Sequence, residues 1–272
     1  MKIYRRLFSV TALPFVICLC LNACNSFEYS PNVAFDADSP ENLNAQNLAK
    51  IQAQTPDDTI KLILCGDTQR SYESCEAFVK KVNAIDNVDF VLLDGDISDF
   101  GLLQEMEWVH KIFSKLKVPY LGVIGNHDAV ANGKNVFEHM YGPLNYSFVY
   151  DSVKFVCHDT NSREVKFDHT VPNLDWLRKE FTPQQGVNHF VAVAHVPPTS
   201  VDFDQSLFNE YGRILDGTPG FLGSLNAHNH TIGIEYPYSD NKPYYITNGV
   251  YTRGFSIIKI FKGHFTNEFI LY

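Results

Sequence analysis

The chain has 272 residues, 45% of them hydrophobic, which suits one domain with a sizeable core and excludes disorder along its whole length. Its formal net charge of −9 leaves no basic footprint, which argues against a nucleic-acid partner. An acidic surface also repels phosphorylated ligands at long range, so a site for them needs local cations.

In chain order, the first feature is an export signal. Lys2, Arg5 and Arg6 precede an apolar run from Leu7 to Leu21 that Pro14 interrupts and that is too short to span a bilayer comfortably. The run ends in Leu21-Asn22-Ala23-Cys24, which resembles a bacterial lipobox. The resemblance implies lipidation at Cys24 and a domain outside the cytoplasm, anchored to a bacterial membrane. Asn25, in place of the Asp that marks inner-membrane retention in enterobacteria, favours the outer membrane or cell surface. Residues 1–24 are thus read as a lipoprotein signal peptide and 25–38, polar and mixed around Pro31, as a tether. Residues 39–57 are expected to hold an N-terminal helix and linker. Ser39 would cap that helix ahead of Pro40, and Leu43, Leu48 and Ile51 would pack it on a domain spanning 58–272.

From Ile60 an alternation of strands and helices begins. Ile60–Cys65, Phe90–Leu93 and Tyr120–Ile124 are short apolar strands. Cys75, Phe78, Val79, Val82 and Ile85 recur at helical spacing over 72–86, and Met106, Val109, Ile112, Phe113 and Leu116 mark a second helix. This β-α-β-α-β order predicts a mostly parallel sheet covered by helices. Tyr146–Tyr150 and Val153–Cys157 form a predicted hairpin around Asp151-Ser152, followed by a short helix at Leu174 and Leu177 and a strand at Phe190–Ala194. Tyr244–Thr247, Phe255–Phe261 and Phe265–Leu271 read as closing antiparallel strands. The fold class is mixed α/β, a sandwich of two sheets. Beyond the signal, Cys65, Cys75 and Cys157 are an odd number without ligand-like spacing, so no disulfide framework is expected. Cys65 and Cys157 lie in apolar strands and are expected to be buried thiols.

The polar residues cluster just past the strand ends. Asp67, Thr68 and Gln69 follow the first strand; Asp94, Asp96 and Asp99 the second; Asn126, His127 and Asp128 the third; His195 the Phe190–Ala194 strand; His228 and His230 an apolar run at Leu222–Leu225. Open α/β sheets bind ligands at the carboxyl ends of their strands. Carboxylate, amide oxygen and imidazole together suit borderline divalent ions such as Mn, Fe, Zn or Ni. Two such ions about 3.5–4 Å apart can polarise a phosphoryl oxygen and activate water.

In order, these blocks resemble the calcineurin-like metallophosphoesterases, whose pattern runs Asp-x-His, Gly-Asp-x-x-(Asp/Asn), Gly-Asn-His-(Asp/Glu), an isolated His, then Gly-His-x-His. Gly125-Asn126-His127-Asp128 together with Asp96, His195 and His228-x-His230 carries the resemblance, which covers about 58–272. It implies a metallophosphoesterase sandwich with its metal site at the strand C-terminal ends. It also implies two divalent ions and hydrolysis of phosphomonoesters or phosphodiesters by hydroxide generated at the ions. Asp96 would bridge the ions; Asp67, Gln69 and His230 would complete one site, and Asn126, His195 and His228 the other. His127 would be the unligated imidazole beside the phosphate, with Asp128 orienting it. Gln69 stands where the family has His, and Ala227 where it has Gly. Gln69 keeps open a second reading, a ligand-binding or metal-binding lipoprotein with little or no turnover.

Arg70, Arg163 and Arg253 are candidate phosphate clamps. His110, His139, His158, His169, His189 and His264 match no block and are read as surface or core histidines, and Trp108 with Met106 and Val109 as core packing. Substrate choice is expected to lie in the loops 129–145, 161–173 and 196–221.

Overall fold

A computed structural model describes Phe35 and residues 37–272. The signal peptide, Cys24 and most of the tether lie outside the described residues. Two sheets stack face to face. The first runs β11-β10-β1-β2-β3 and the second β4-β5-β6-β7-β9-β8. In the first sheet, β1 (Ile60–Cys65), β2 (Phe90–Asp94) and β3 (Tyr120–Val123) are parallel, with Leu62 opposite Phe90 and Val91 opposite Tyr120. β10 (Gly254–Phe261) and β11 (His264–Leu271) add antiparallel strands on the β1 side. The second sheet holds the hairpin β4 (Tyr146–Tyr150) and β5 (Val153–Cys157), then β6 (His189–Val193), β7 (Phe221–Asn226), β8 (Gly233–Glu235) and β9 (Tyr244–Ile246).

The period-2 alternation of the strands explains three separate cores. Leu62, Leu64, Phe90 and Leu92 point inward and meet Phe148, Phe155, Val191 and Val193 of the other sheet. Ile63, Cys65, Val91 and Leu93 point outward under α2 (Tyr72–Val82), α3 (Leu103–Phe113) and α4 (Gly133–Met140). Phe190, Ala192 and Phe221 pack under α5 (Leu174–Glu180) and α6 (Phe208–Asp216). The layers are therefore helix, sheet, sheet, helix. Strands buried on both faces read as continuous apolar runs, as β1 and β2 do. Cys65, Cys75 and Cys157, the three cysteines among the described residues, are free and buried, and burial pushes the Cys75 thiol up to about 12.

The first helix, α1 (Leu43–Gln52), begins three residues later than Ser39-Pro40 predicts. Asn42 takes a left-handed conformation, and its amide donates to the His139 carbonyl. Inside the helix, Asn44 exchanges two hydrogen bonds with the Gly122 backbone (2.8 and 2.9 Å), and Asn47 donates to the Tyr120 carbonyl at 2.8 Å. The helix thus caps the free edge of β3, a job that sets its start more firmly than the local capping signal. Leu43 and Ile51 are buried and Leu48 packs beside them, as expected. Two other expectations are corrected. Trp108 is 45% exposed and packs edge-on against Tyr72, because Met106 and Val109 already fill the inner face of its helix. Helices α4 and α6 also occupy stretches that read as loops.

His158, at the end of β5, is fully buried between the Val156 carbonyl (3.0 Å) and the Tyr211 hydroxyl (2.8 Å). Burial lowers its pKa to about 4. An unfolded chain titrates this ring near 6.5. The neutral form is favoured by the fold, so its contribution is complete above pH 6.5 and is lost as pH falls towards 4. Between pH 7 and pH 5 the metal-free protein should lose about 2 kcal/mol through this one group. His158→Phe should flatten that part of the profile in urea unfolding; an unchanged slope would rule the group out.

Candidate metal centre

Two loop ends zip together to start the site. The amide of Asp67 donates to Gly95 O (3.0 Å), and those of Thr68 and Gln69 donate to Asp96 O (2.9 and 3.1 Å). Asp67 and Asp96 each adopt a left-handed φ of 53°, as do His228 and His230 at 66° and 54°. Such conformations cost about 1–3 kcal/mol each and persist where the surroundings enforce them, often at functional sites. Gly125 is required by contact: a methyl there would overlap the Asp96 amide and carboxylate.

These turns bring one oxygen or nitrogen each from Asp67, Asp96 and His230 within 4.8 Å of one another. His230 Nε2 sits 2.9 Å from Asp67 Oδ1, yet neither Asp67 oxygen has a well-aligned hydrogen bond, and both are buried. The buried Oε1 of Gln69 is also unpartnered, while its Nε2 donates to Asp96 Oδ2 at 3.3 Å. Buried, unpaired acceptors around a carboxylate pair suit a cation.

A second donor group lies on the other side of Asp96. His195 Nε2 is 3.3 Å from Asp96 Oδ1. Its Nδ1 lies 2.7 Å from the Asp94 carbonyl, which can only accept, so Nδ1 carries the proton of a neutral ring and Nε2 faces the carboxylate. His228 Nδ1 is 3.0 Å from Asn126 Oδ1, and its Nε2 is 3.2 Å from Asp202 Oδ2. Burial lowers His228 to about 4, so the ring is neutral and carries one proton. The carboxylate of Asp202 is the stronger acceptor and takes it. Two acceptors, the Nδ1 lone pair and the Asn126 oxygen, are then left facing the same space, as metal ligands are. The Asp96 oxygens divide between the groups, Oδ1 beside His195 and Oδ2 beside Gln69.

Without ions, protons balance this charge. Burial opposes a charge on His195, but Asp96, Asp67 and Asp94 hold the ring up at about 10. Burial also works against the Asp96 carboxylate, yet His195 and His127 bring its pKa below the ordinary value. Burial raises Asp67, and Asp94, its carboxylate unpartnered in the interior, is pushed up to about 8 by burial and the two neighbouring carboxylates.

His127 stands beside the two groups, 38% exposed. Its Nδ1 donates to the Asp99 carbonyl at 3.0 Å, which leaves Nε2 free. This corrects the role expected of Asp128. That carboxylate is buried and accepts hydrogen bonds from the amides of Ile97 (3.2 Å), Ser98 (2.8 Å) and Gly125 (2.9 Å) and from the Ser98 hydroxyl (2.9 Å). It locks the 95–99 and 125–128 loops together, and Asp99 holds the imidazole. Arg70 pairs with Asp99 at 3.2 Å, and Arg163 pairs with Asp202. At Arg253 the backbone amide donates to the Val250 carbonyl and the carbonyl accepts from the Tyr272 amide. Ala227, in place of the family's Gly, is buried without a positive φ, so its methyl is accommodated.

Asp99, Asp202 and Tyr251, whose hydroxyl lies 3.3 Å from His230 Nδ1, escaped the sequence reading as site residues. Asp99 had a signal, the last position of Gly95-Asp96-Ile97-Ser98-Asp99; Asp202 had none. Carboxylates that accept the outer N–H of a ligating His typically matter 10–100-fold in metal affinity. Asp202→Ala should therefore weaken one of two calorimetrically resolved Mn sites by about that factor. Equal affinity at both sites would remove Asp202 from this task.

The family model for calcineurin-like phosphoesterases matches residues 60–231. No curated protein sequence matches the chain. Among solved structures, a purple acid phosphatase from yellow lupin (Lupinus luteus) seeds superposes with a TM-score of 0.58 at 12% identity, covering 79% of this chain and 52% of that one. The chain thus spans about half the length of the lupin protein. GAP50, the anchor in the inner membrane complex of Plasmodium, gives 0.62 at 11% identity over 79% of this chain and 85% of that one. These likenesses agree on the two-sheet sandwich.

Proposed function

Because the chain belongs to the calcineurin-like phosphoesterase family, for which metal-dependent hydrolysis of phosphate esters is the expected activity, we propose that it is an exported phosphoesterase working with two divalent ions. The observation that carries this reading is Asp96, with one oxygen turned to each of two donor groups. Asp67, Asp96, His230 and the Gln69 oxygen would hold one ion, and Asp96, Asn126, His195 and His228 the other. Ions so held supply Lewis-acid polarisation of the phosphoryl group and a lowered pKa for water. His127 Nε2, kept free by Asp99, faces the phosphate and stabilises its charge or protonates the leaving oxygen. Arg70 and Arg163, each paired with a buried carboxylate, would steer the ester.

A catalytically silent binding protein is the second reading. It draws support from Gln69, whose amide nitrogen rather than oxygen approaches Asp96. Hydrolysis of p-nitrophenyl phosphate and bis-p-nitrophenyl phosphate by the protein from residue 25 onward, with and without each metal, separates the two. Metal-dependent turnover supports the enzyme, and the better ester gives the class. Bound metal without turnover favours the silent protein. Location outside the cytoplasm rests on Cys24 and the apolar run before it, with residues 25–38 as tether and 58–272 as the catalytic domain. Incorporation of labelled palmitate that disappears in Cys24→Ala is the check.

A further inference from the structure

Seven loops meet at the edge that carries the donors: 66–71, 95–102, 124–132, 158–172, 194–207, 227–232 and 247–253. Five of them expose one large apolar side chain: Phe100 (58%), Phe167 (38%), Val201 (79%), Ile232 (39%) and Tyr251 (48%). Single exposed apolar residues are ordinary on any surface, but a set gathered on the loops of one site marks recognition. Four of the five are tied to the site by the chain or by contact. Phe100 follows Asp99, which holds His127 and Arg70; Val201 precedes Asp202, which holds His228 and Arg163. Ile232 is two residues beyond His230, and the Tyr251 ring stands edge-on to the His230 ring with centroids 5.6 Å apart. Two arginines of these loops are already engaged, Arg70 with Asp99 and Arg163 with Asp202, and Lys134 of the neighbouring helix α4 pairs with Asp159 at 3.6 Å. A substrate carrying several further anionic groups would have to compete with those carboxylates.

We propose that the site takes phosphate esters whose alcohol part is apolar, the phosphate at the donor cluster and the hydrocarbon against Phe100, Val201, Ile232 and Tyr251. This rests on the phosphoesterase reading above. Ordinary hydrolysis breaks the P–O bond, water supplies the oxygen added to phosphorus, and the released alcohol takes up a proton.

The test is a homologous series of alkyl phosphates, ethyl to hexyl, in which leaving-group reactivity barely changes. Each CH₂ moved out of water is worth up to about a fourfold gain, so even a half-covered chain should raise kcat/KM at least about tenfold from ethyl to hexyl. In the triple variant Phe100→Ser, Val201→Ser, Ile232→Ser the gain should shrink to about twofold, hexyl phosphate losing far more kcat/KM than ethyl phosphate. All three side chains are exposed, so the fold is not at stake. Benzyl phosphate and dihexanoyl phosphatidic acid then tell whether the hydrocarbon is a ring or a pair of acyl chains. A flat series with metal-dependent turnover overturns this proposal alone. Absence of turnover with every ester overturns the phosphoesterase reading as well. A flat series in a protein whose binding to phosphatidylglycerol vesicles falls in the triple variant makes the rim a membrane contact, which also overturns it.

Discussion

Asp96→Ala is expected to lower metal-dependent kcat/KM for p-nitrophenyl phosphate by at least about 10³-fold and to leave no more than one ion bound per chain. The reason lies in the two directions of one carboxylate. Oδ1 sits 3.3 Å from His195 Nε2, and Oδ2 accepts from Gln69 at 3.3 Å. Asp96 thus contacts both groups, so losing it damages both. The side chain also accepts from the His127 amide at 2.9 Å, and removing that bond costs about 1–3 kcal/mol of stability, which circular dichroism and unfolding would register separately. Turnover within tenfold of the unaltered protein would exclude a shared carboxylate.

His127→Ala is expected to separate chemistry from binding. Its Nδ1 is committed to the Asp99 carbonyl, and among the described residues no hydrogen bond or ion pair joins its Nε2 to the donor groups. Both ions should therefore remain, while kcat falls about 10²–10⁴-fold, the usual contribution of a positioned general acid. The loss should be greatest for esters with poor leaving groups, which need the proton most. A variant that keeps full turnover would assign the acid elsewhere; one that loses an ion would make His127 a ligand.

The parts of the fold legible in the sequence were those with local chemistry. Ile60–Cys65, Tyr146–Tyr150 and Val153–Cys157 run between the residues expected, because short runs of apolar and aromatic residues are bounded by turn residues. Helix α4 begins at Gly133 and buries only Val136, Phe137 and Met140 beyond it, a pattern too short to stand out. Helix α6 did carry a signal, Tyr211 and Leu215 four residues apart on its buried face. The order of the metal donors was readable because each sits one turn past a strand. Partnerships across the fold were not. Asp128 follows His127 directly but bonds residues 97, 98 and 125, while Asp99, 28 residues away in sequence, holds the ring. Asp202 reaches His228 from a loop with no motif, a contact that only packing creates.

The most direct test is a Mn titration of the metal-free protein, counting bound ions by atomic spectroscopy while following the thermal midpoint. Two ions per chain are expected, with a midpoint raised by roughly 10–20 °C once Mn reaches about a hundred times the dissociation constant of each site. No bound ion and an unmoved midpoint would contradict a dinuclear centre built on Asp96.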